Sequence, residues 1–289
     1  MNERFRTFLR LGRVSNLPTV WSDCLAGWWL GGARNGEKLP LLVLGVSLLH
    51  TGGMYLNDAF DAEHDRLRGL ERPIPAGKIA LSQVWGQGFG LLLGGLLLLL
   101  GCGLAAGVAA TLLAGCIVLY DFTHKIFRAS PWLLGACRFW VYIIAGAAGV
   151  DDGSGYALIG FPIFGGVALG VYVAGYSFMT GWERGRRRAP AWPLILLAAP
   201  FLLAFTVNAG PARLPASWVM LLLGLWVVYY AGSFLQGRGS NIGWVAGNLR
   251  AGVVLVDWLA VAPQLPLWQG ALLFGLLFGL TKWLQKAFV

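Results

Sequence analysis

Long apolar runs separated by short polar turns fill the chain. Segments near 17–33, 39–57, 81–101, 103–120, 131–150, 157–180, 191–208, 217–235, 247–262 and 266–284 each approach the ~20 mostly apolar residues that a membrane-spanning helix requires. The runs are continuous, whereas the strands of a membrane barrel alternate polar and apolar positions over about 10 residues. The pattern predicts an all-α polytopic membrane bundle of nine or ten transmembrane helices. The weakest segment is 247–262, which is short and carries Asp257, so a half-span or re-entrant piece stays open there. Unpaired charge inside a span is costly, which makes Asp257 and Arg250 an expected buried pair. No Ser/Pro-rich linker interrupts the chain, and residues 1–289 read as one domain. The opening MNERFRTFLRLGR is basic and amphipathic, with no short apolar core and small-residue cleavage site behind it. Leu17 is therefore expected to begin the first retained span rather than the body of a signal peptide.

Composition agrees. The 289 residues are 57% apolar and only 12% charged, against about 25% charged in a soluble domain. That leaves too little polar surface for a soluble globule, and too much apolar content for a disordered chain. Cys24, Cys102, Cys116 and Cys137 lie in apolar runs without CxxC spacing, and read as small buried hydrophobes rather than as a zinc site or disulfide framework. The net charge of +9 is a matter of topology. With ten crossings, eighteen Lys and Arg fall on the N-terminal side, three (Arg34, Lys38, Arg213) on the other, and Arg138 within a span. This bias places the N-terminus and the loops 58–80, 121–130 and 181–190 in the cytoplasm, at the plasma membrane. It also argues against nucleic acid as a partner.

The chemistry concentrates in Tyr55-Leu-Asn57-Asp58-Ala-Phe-Asp61-Ala-Glu-His64-Asp65. Asn57, Asp61 and Asp65 recur every four residues and Asp58 precedes Asp61 by three, so all four share one helical stripe. Carboxylates stacked this way repel one another unless something compensates. Oxygen-only ligands at a membrane surface suit Mg2+, which is typically held by one or two carboxylates together with substrate phosphates. Arg66, Arg68, Arg72 and Lys78 follow as candidate phosphate clamps. A solvated acidic helix end is the competing reading.

The Asn57-Asp58-x-x-Asp61-x-x-x-Asp65 pattern, followed by Arg72-Pro-Ile-Pro-Ala-Gly-Lys78-Ile, resembles the first aspartate-rich motif of the UbiA superfamily of intramembrane prenyltransferases. Arg13 through Asn16, Tyr120-Asp121-x-x-x-Lys125 and Gly135-x-x-Arg138 extend the resemblance over most of the chain. It implies a helical bundle around a lipid-open cavity and Mg2+-dependent transfer of a prenyl group from an isoprenyl diphosphate to an aromatic or other small acceptor, with membrane lipids as surroundings. It implies Asn57, Asp58, Asp61, Asp65 and Glu183 at the metal. Arg13, Arg72, Lys78, Lys125, Arg138, Arg184 and Arg187 would face the diphosphate, and Asp121, Lys125 and Arg138 the chemistry. Fixed positive charge there would oppose the charge developing on the leaving diphosphate.

The second aspartate-rich motif of that superfamily is altered. Setting residues 51–61 against 173–183 pairs Gly53 with Gly175, Asp58 with Thr180 and Asp61 with Glu183, and Asp65 then meets Arg187. One carboxylate remains, followed by Arg184, Arg186, Arg187 and Arg188. Either the arginines neutralise diphosphate directly, or they only obey the charge bias. In the latter case the chain would bind a lipid diphosphate, or scaffold a pathway, without turnover; a transporter is the remotest reading. His50, His64 and His124 lack metal-ligand spacing, and His124 is expected as a solvated loop residue.

Overall fold

The computed structural model describes residues 3–150, 160–180, 191–207, 213–236 and 242–288. Thirteen α-helices occupy them, among them α1 (Glu3–Leu11), α2 (Leu17–Leu30), α3 (Leu39–Leu67), α4 (Leu81–Gly101), α5 (Leu104–Thr123), α6 (Ser130–Gly149) and α7 (Gly160–Thr180). The second half holds α8 (Trp192–Leu196), α9 (Ala199–Val207), α10 (Arg213–Leu235), α11 (Ile242–Ala251), α12 (Val253–Val261) and α13 (Leu267–Phe288). Prolines sit in the first turns of α2, α3, α6 and α8, where the missing N–H has no intrahelical partner to lose.

Among the described residues, eight helices, counting α11 with α12 as one, are long and apolar enough to cross a membrane. The shorter α2 and the α8–α9 pair occupy the other two apolar runs of the sequence. The chain is thus a multi-pass membrane protein. Helix α3 outruns its apolar stretch and continues to Leu67, so the acidic motif lies on its last turns rather than in a loop.

Burial explains the weak segment. The window from Ile242 to Val261 is 78% buried, whereas that of α13 is 17% buried. The former is broken at Gly252 into α11 and α12, and such a break is tolerable at membrane depth only where protein surrounds it. Tyr172 covers the break: a Cβ at Gly252 would stand 2.6 Å from its hydroxyl, which donates to the Leu249 carbonyl at 2.9 Å. The expected Arg250–Asp257 pair does not form. Helix α11 ends before α12 begins, and the two side chains take different partners: Arg250 donates to Asn16 Oδ1 at 3.3 Å, and Asp257 accepts from Ser22 and Tyr142.

Candidate active site

Asn57, Asp58, Asp61 and Asp65 are all buried, at 5%, 9%, 3% and 1% exposure, on the stripe their spacing predicts. What covers them follows from the next residues. Gly69, at φ +65°, turns the chain back after α3. Ile74 and Ile79 bury themselves against Leu11, Tyr55, Ala62 and Val84, and a turn at Gly77, with Lys78 N–H donating to the Pro73 carbonyl, closes the loop. Anchored in this way, the Arg-Pro-Ile-Pro-Ala-Gly-Lys segment lays Arg72 across three carboxylates. Its Nη1 lies 3.3 Å from Asp58 Oδ1, 3.7 Å from Asp61 Oδ2 and 3.1 Å from Asp65 Oδ2.

Two other elements complete the cluster. Arg13 sits in the left-handed region, at φ 42°, between α1 and the turn that leads into α2. A non-glycine residue there stores of order 1–3 kcal/mol, which persists only where surroundings enforce it. The conformation accompanies a guanidinium that reaches Asn57 Oδ1 at 2.9 Å and Asp58 Oδ1 at 3.3 Å. From α5, Asp121 accepts the Asn57 amide at 3.0 Å, and from the turn after it Lys125 Nζ lies 3.0 Å from Asp61 Oδ2.

His124 is the residue the sequence reading misplaced. It is half-buried, with Nε2 3.2 Å from Asp61 Oδ1. Burial pulls its pKa down, but the hydrogen bond to Asp61 and that carboxylate's charge outweigh burial and raise it above the usual histidine value. The available signal was its place three residues after Asp121, on the same face of a helix that continues through Thr123.

The donor set suits a hard cation. Asp65 Oδ1 and Asp121 Oδ2 are buried and accept no hydrogen bond, and Asp65 Oδ2 meets the Arg72 guanidinium; oxygens of this kind are what a hard cation takes as ligands. Among the described residues, no three His, Cys, Asp or Glu converge as a ready-made metal site; Arg72, Arg13 and Lys125 hold the carboxylates instead. Glu183, Arg184 and Arg187, with Arg186 and Arg188, lie outside the described residues.

Two spaces open from the cluster. A polar vestibule of about 540 Å³ is lined by Arg10, Arg13, Asp58, Arg72, Lys78 and Arg250. Beyond it lies a cavity of about 180 Å³, walled by Val20, Met54, Ile117, Tyr120, Cys137 and Tyr176 and edged by Arg13, His50, Asp121, Arg138 and Arg250. Arg138 stays away from the acidic cluster. It is paired with Asp23, which is fully buried, and its Nη2 donates to Thr19 Oγ1 at 3.1 Å.

Comparison with known proteins agrees with this arrangement. The UbiA prenyltransferase family matches residues 15–241. Digeranylgeranylglyceryl phosphate synthase of Methanopyrus kandleri is 25% identical over 194 residues, 67% of this chain and 58% of that protein. 4-Hydroxybenzoate octaprenyltransferase of Pseudomonas fluorescens is 31% identical over 153 residues, 48% of this chain and 50% of that protein. The chain thus spans about half the length of these curated relatives. Among solved structures, a UbiA homologue from Aeropyrum pernix superposes with a TM-score of 0.68 at 17% identity, over 92% of this chain and all of that one. One from Archaeoglobus fulgidus, bound to GPP and Mg2+, gives 0.52 at 14% identity over 96% and 99%. At such identities the structures speak for the fold, while the family match covers most of the sequence. The chain belongs to the UbiA prenyltransferase family.

Proposed function

We propose that this chain is a Mg2+-dependent prenyltransferase, folded as one domain over residues 1–289. Its acidic cluster would face the cytoplasm from the plasma membrane. The observation that carries the reading is the pairing of buried carboxylate oxygens without hydrogen-bond donors, Asp65 Oδ1 and Asp121 Oδ2, with a ring of cations at the mouth of an apolar-walled cavity. Carboxylates alone would suit a metal and cations alone an anion; a metal–diphosphate substrate requires both. Asn57, Asp58, Asp61 and Asp65 would hold Mg2+, with Glu183 as a further ligand from the altered second motif. When bound, the metal supplies Lewis-acid stabilisation to the leaving diphosphate.

The chain's own residues supply the rest. Arg13, Arg72, Lys78 and Lys125, with Arg184 and Arg187, neutralise diphosphate oxygens; Lys125 and Arg72 do so by exchanging carboxylate partners for phosphate. The allylic C–O bond breaks with its electron pair left on diphosphate, and the acceptor's nucleophile gives a pair to the prenyl carbon. Asp121, a residue of the cavity wall, takes the proton the acceptor loses. Arg13, Arg138 and Arg250 around the cavity fit an acceptor with an anionic group, in keeping with the 4-hydroxybenzoate and glyceryl phosphate in the relatives' names.

The test is turnover of radiolabelled geranylgeranyl diphosphate, with 4-hydroxybenzoate or a glyceryl phosphate monoether as acceptor, against Mg2+ concentration. Asp61→Asn and Asp65→Asn should abolish Mg2+-dependent binding of the donor while leaving the protein folded in the membrane, because an amide cannot replace a carboxylate facing a divalent cation. Tight Mg2+-dependent binding without turnover of either acceptor would favour the non-catalytic binder. Unimpaired binding by both variants would reduce the cluster to a solvated helix end.

A further inference from the structure

A second space of about 330 Å³ lies toward the opposite end of the bundle. Its lining is apolar, with Leu30, Phe164, Ala168, Val256 and Leu259 among the walls. The same elements line both spaces at different heights. Helix α2 gives Val20 to the catalytic cavity and Leu30 to the second one. Helix α7 gives Tyr176 to the first and Ala168 to the second, eight residues or about 12 Å apart along the axis. The broken span contributes Arg250 to the first and Val256 to the second.

A solid layer separates the two. Ser22, Asp23, Leu169, Tyr172 and Asp257 on the same helices, and Tyr142 on α6, are each 0% exposed and lie in the interval. Tyr142 is its centre. Its hydroxyl donates to Asp257 Oδ1 at 2.6 Å, and Ser22 Oγ holds Asp257 Oδ2 at 2.5 Å. Its ring fills the seam left by the missing side chain of Gly165, a residue of the second cavity's wall; a Cβ there would stand 2.8 Å from Tyr142 Cε1 and 3.0 Å from Leu30 Cδ1. Polar bonds inside a dry layer resist opening, because each broken bond leaves a buried group unsatisfied.

We propose that this layer is a partition that sets the length of the prenyl donor, with Tyr142 as its specificity-determining residue. The inference rests on the prenyl-transfer reading above. With the diphosphate fixed among Arg13, Arg72 and Lys125, the donor's tail runs away from them, through the catalytic cavity, toward the partition. Opening the partition joins the two cavities, and the second receives the distal isoprene units of a longer donor.

The experiment measures Mg2+-dependent binding of geranyl and geranylgeranyl diphosphate to the full-length protein in nanodiscs, and compares the ratio of the two affinities between parent and variants. Tyr142→Ala should shift that ratio toward the longer donor by about tenfold, the scale on which an apolar pocket discriminates by size. Leu169→Ala opens the same layer from α7 and should shift it in the same direction, which keeps the test alive if the tyrosine variant does not fold. Tyr142→Phe keeps the ring that fills the layer and removes only the bond to Asp257, and should shift the ratio less than Tyr142→Ala does. If the parent binds both donors and neither opening variant moves the ratio, the tail leaves sideways into lipid and the partition proposal alone is overturned. If the parent binds neither donor, the prenyl-transfer reading fails and this proposal falls with it.

Discussion

Asp23 and Arg138 carry opposite charges in the middle of the bundle, one fully buried and the other 11% exposed as a side chain. Neither would be stable alone in a dry interior. Removing one partner of such a pair leaves an uncompensated charge and costs about 3–5 kcal/mol, whereas replacing both with apolar groups is often nearly neutral. Asp23→Ala is therefore expected to destabilise the protein by about 3–5 kcal/mol, and Asp23→Ala with Arg138→Leu to recover most of that loss. Denaturation of the single and double variants in detergent checks it; two single costs that simply add would show that the pair is not an energetic unit. The charges themselves are visible in the sequence as the deepest in their spans. Their pairing is not, because the partners lie 115 residues apart, and chain proximity points instead to Arg250 and Asp257, which the fold keeps apart. The same limit separates the legible stripe of Asn57, Asp61 and Asp65 from the Asn57–Asp121 bond that ties it to α5, a contact spanning 64 residues.

At the level of elements, the seam between α3 and α4 fixes the platform on which the acidic motif stands. Gly45 and Gly52 on α3 meet Gly95 and Gly88 on α4. A Cβ at Gly52 would lie 2.8 Å from the Gly88 carbonyl oxygen, and one at Gly95 would lie 2.8 Å from the Gly45 carbonyl oxygen. Small residues let helix backbones approach this closely in membranes, where packing replaces the hydrophobic drive. The obstructing atoms are backbone, so no rotamer change relieves the clash. Gly52→Ala should force the helices apart and cost about 1–3 kcal/mol. It should also lower affinity for prenyl diphosphate by moving Asn57 and Asp61 relative to α5. Gly90→Ala on α4 meets nothing within 4 Å and should be neutral or stabilising by about 0.5–1 kcal/mol, through helix propensity alone. Equal thermal shifts for the two variants would refute the seam. Hydrophobic periodicity makes nearly every span legible in the sequence, because lipid imposes length and apolarity on each one separately. It does not show which helix is central. The sequence marks 247–262 as the weak span but does not show that it breaks at Gly252; the break is tolerated because surrounding helices bury it.

On the scale of the whole molecule, one end of the bundle gathers the acidic cluster, the polar vestibule and most of the basic charge. Arg68, Arg72, Lys78, Lys125 and Arg128 lie in its turns, while the turn between α2 and α3 at the other end carries Arg34, Glu37 and Lys38. If the Lys/Arg-rich side is the one retained in the cytoplasm, as proposed above, diphosphate would enter from that side. The expectation is testable without knowledge of the acceptor. Arg68 and Glu37 are both exposed in turns at opposite ends, and the native Cys24 and Cys102 are buried while Cys116 and Cys137 are partly so. A membrane-impermeant thiol reagent should therefore label Arg68→Cys in inverted vesicles and Glu37→Cys in intact cells, with the parent as background. The same vesicles should take up no diphosphate for the prenyl donor to be productive, since its site already faces the reagent. Labelling of Arg68→Cys from outside would turn the vestibule to the far side of the membrane. Arg72 and Lys125 would then meet no cytoplasmic diphosphate, and the prenyl-transfer reading would need a donor supplied from the other side.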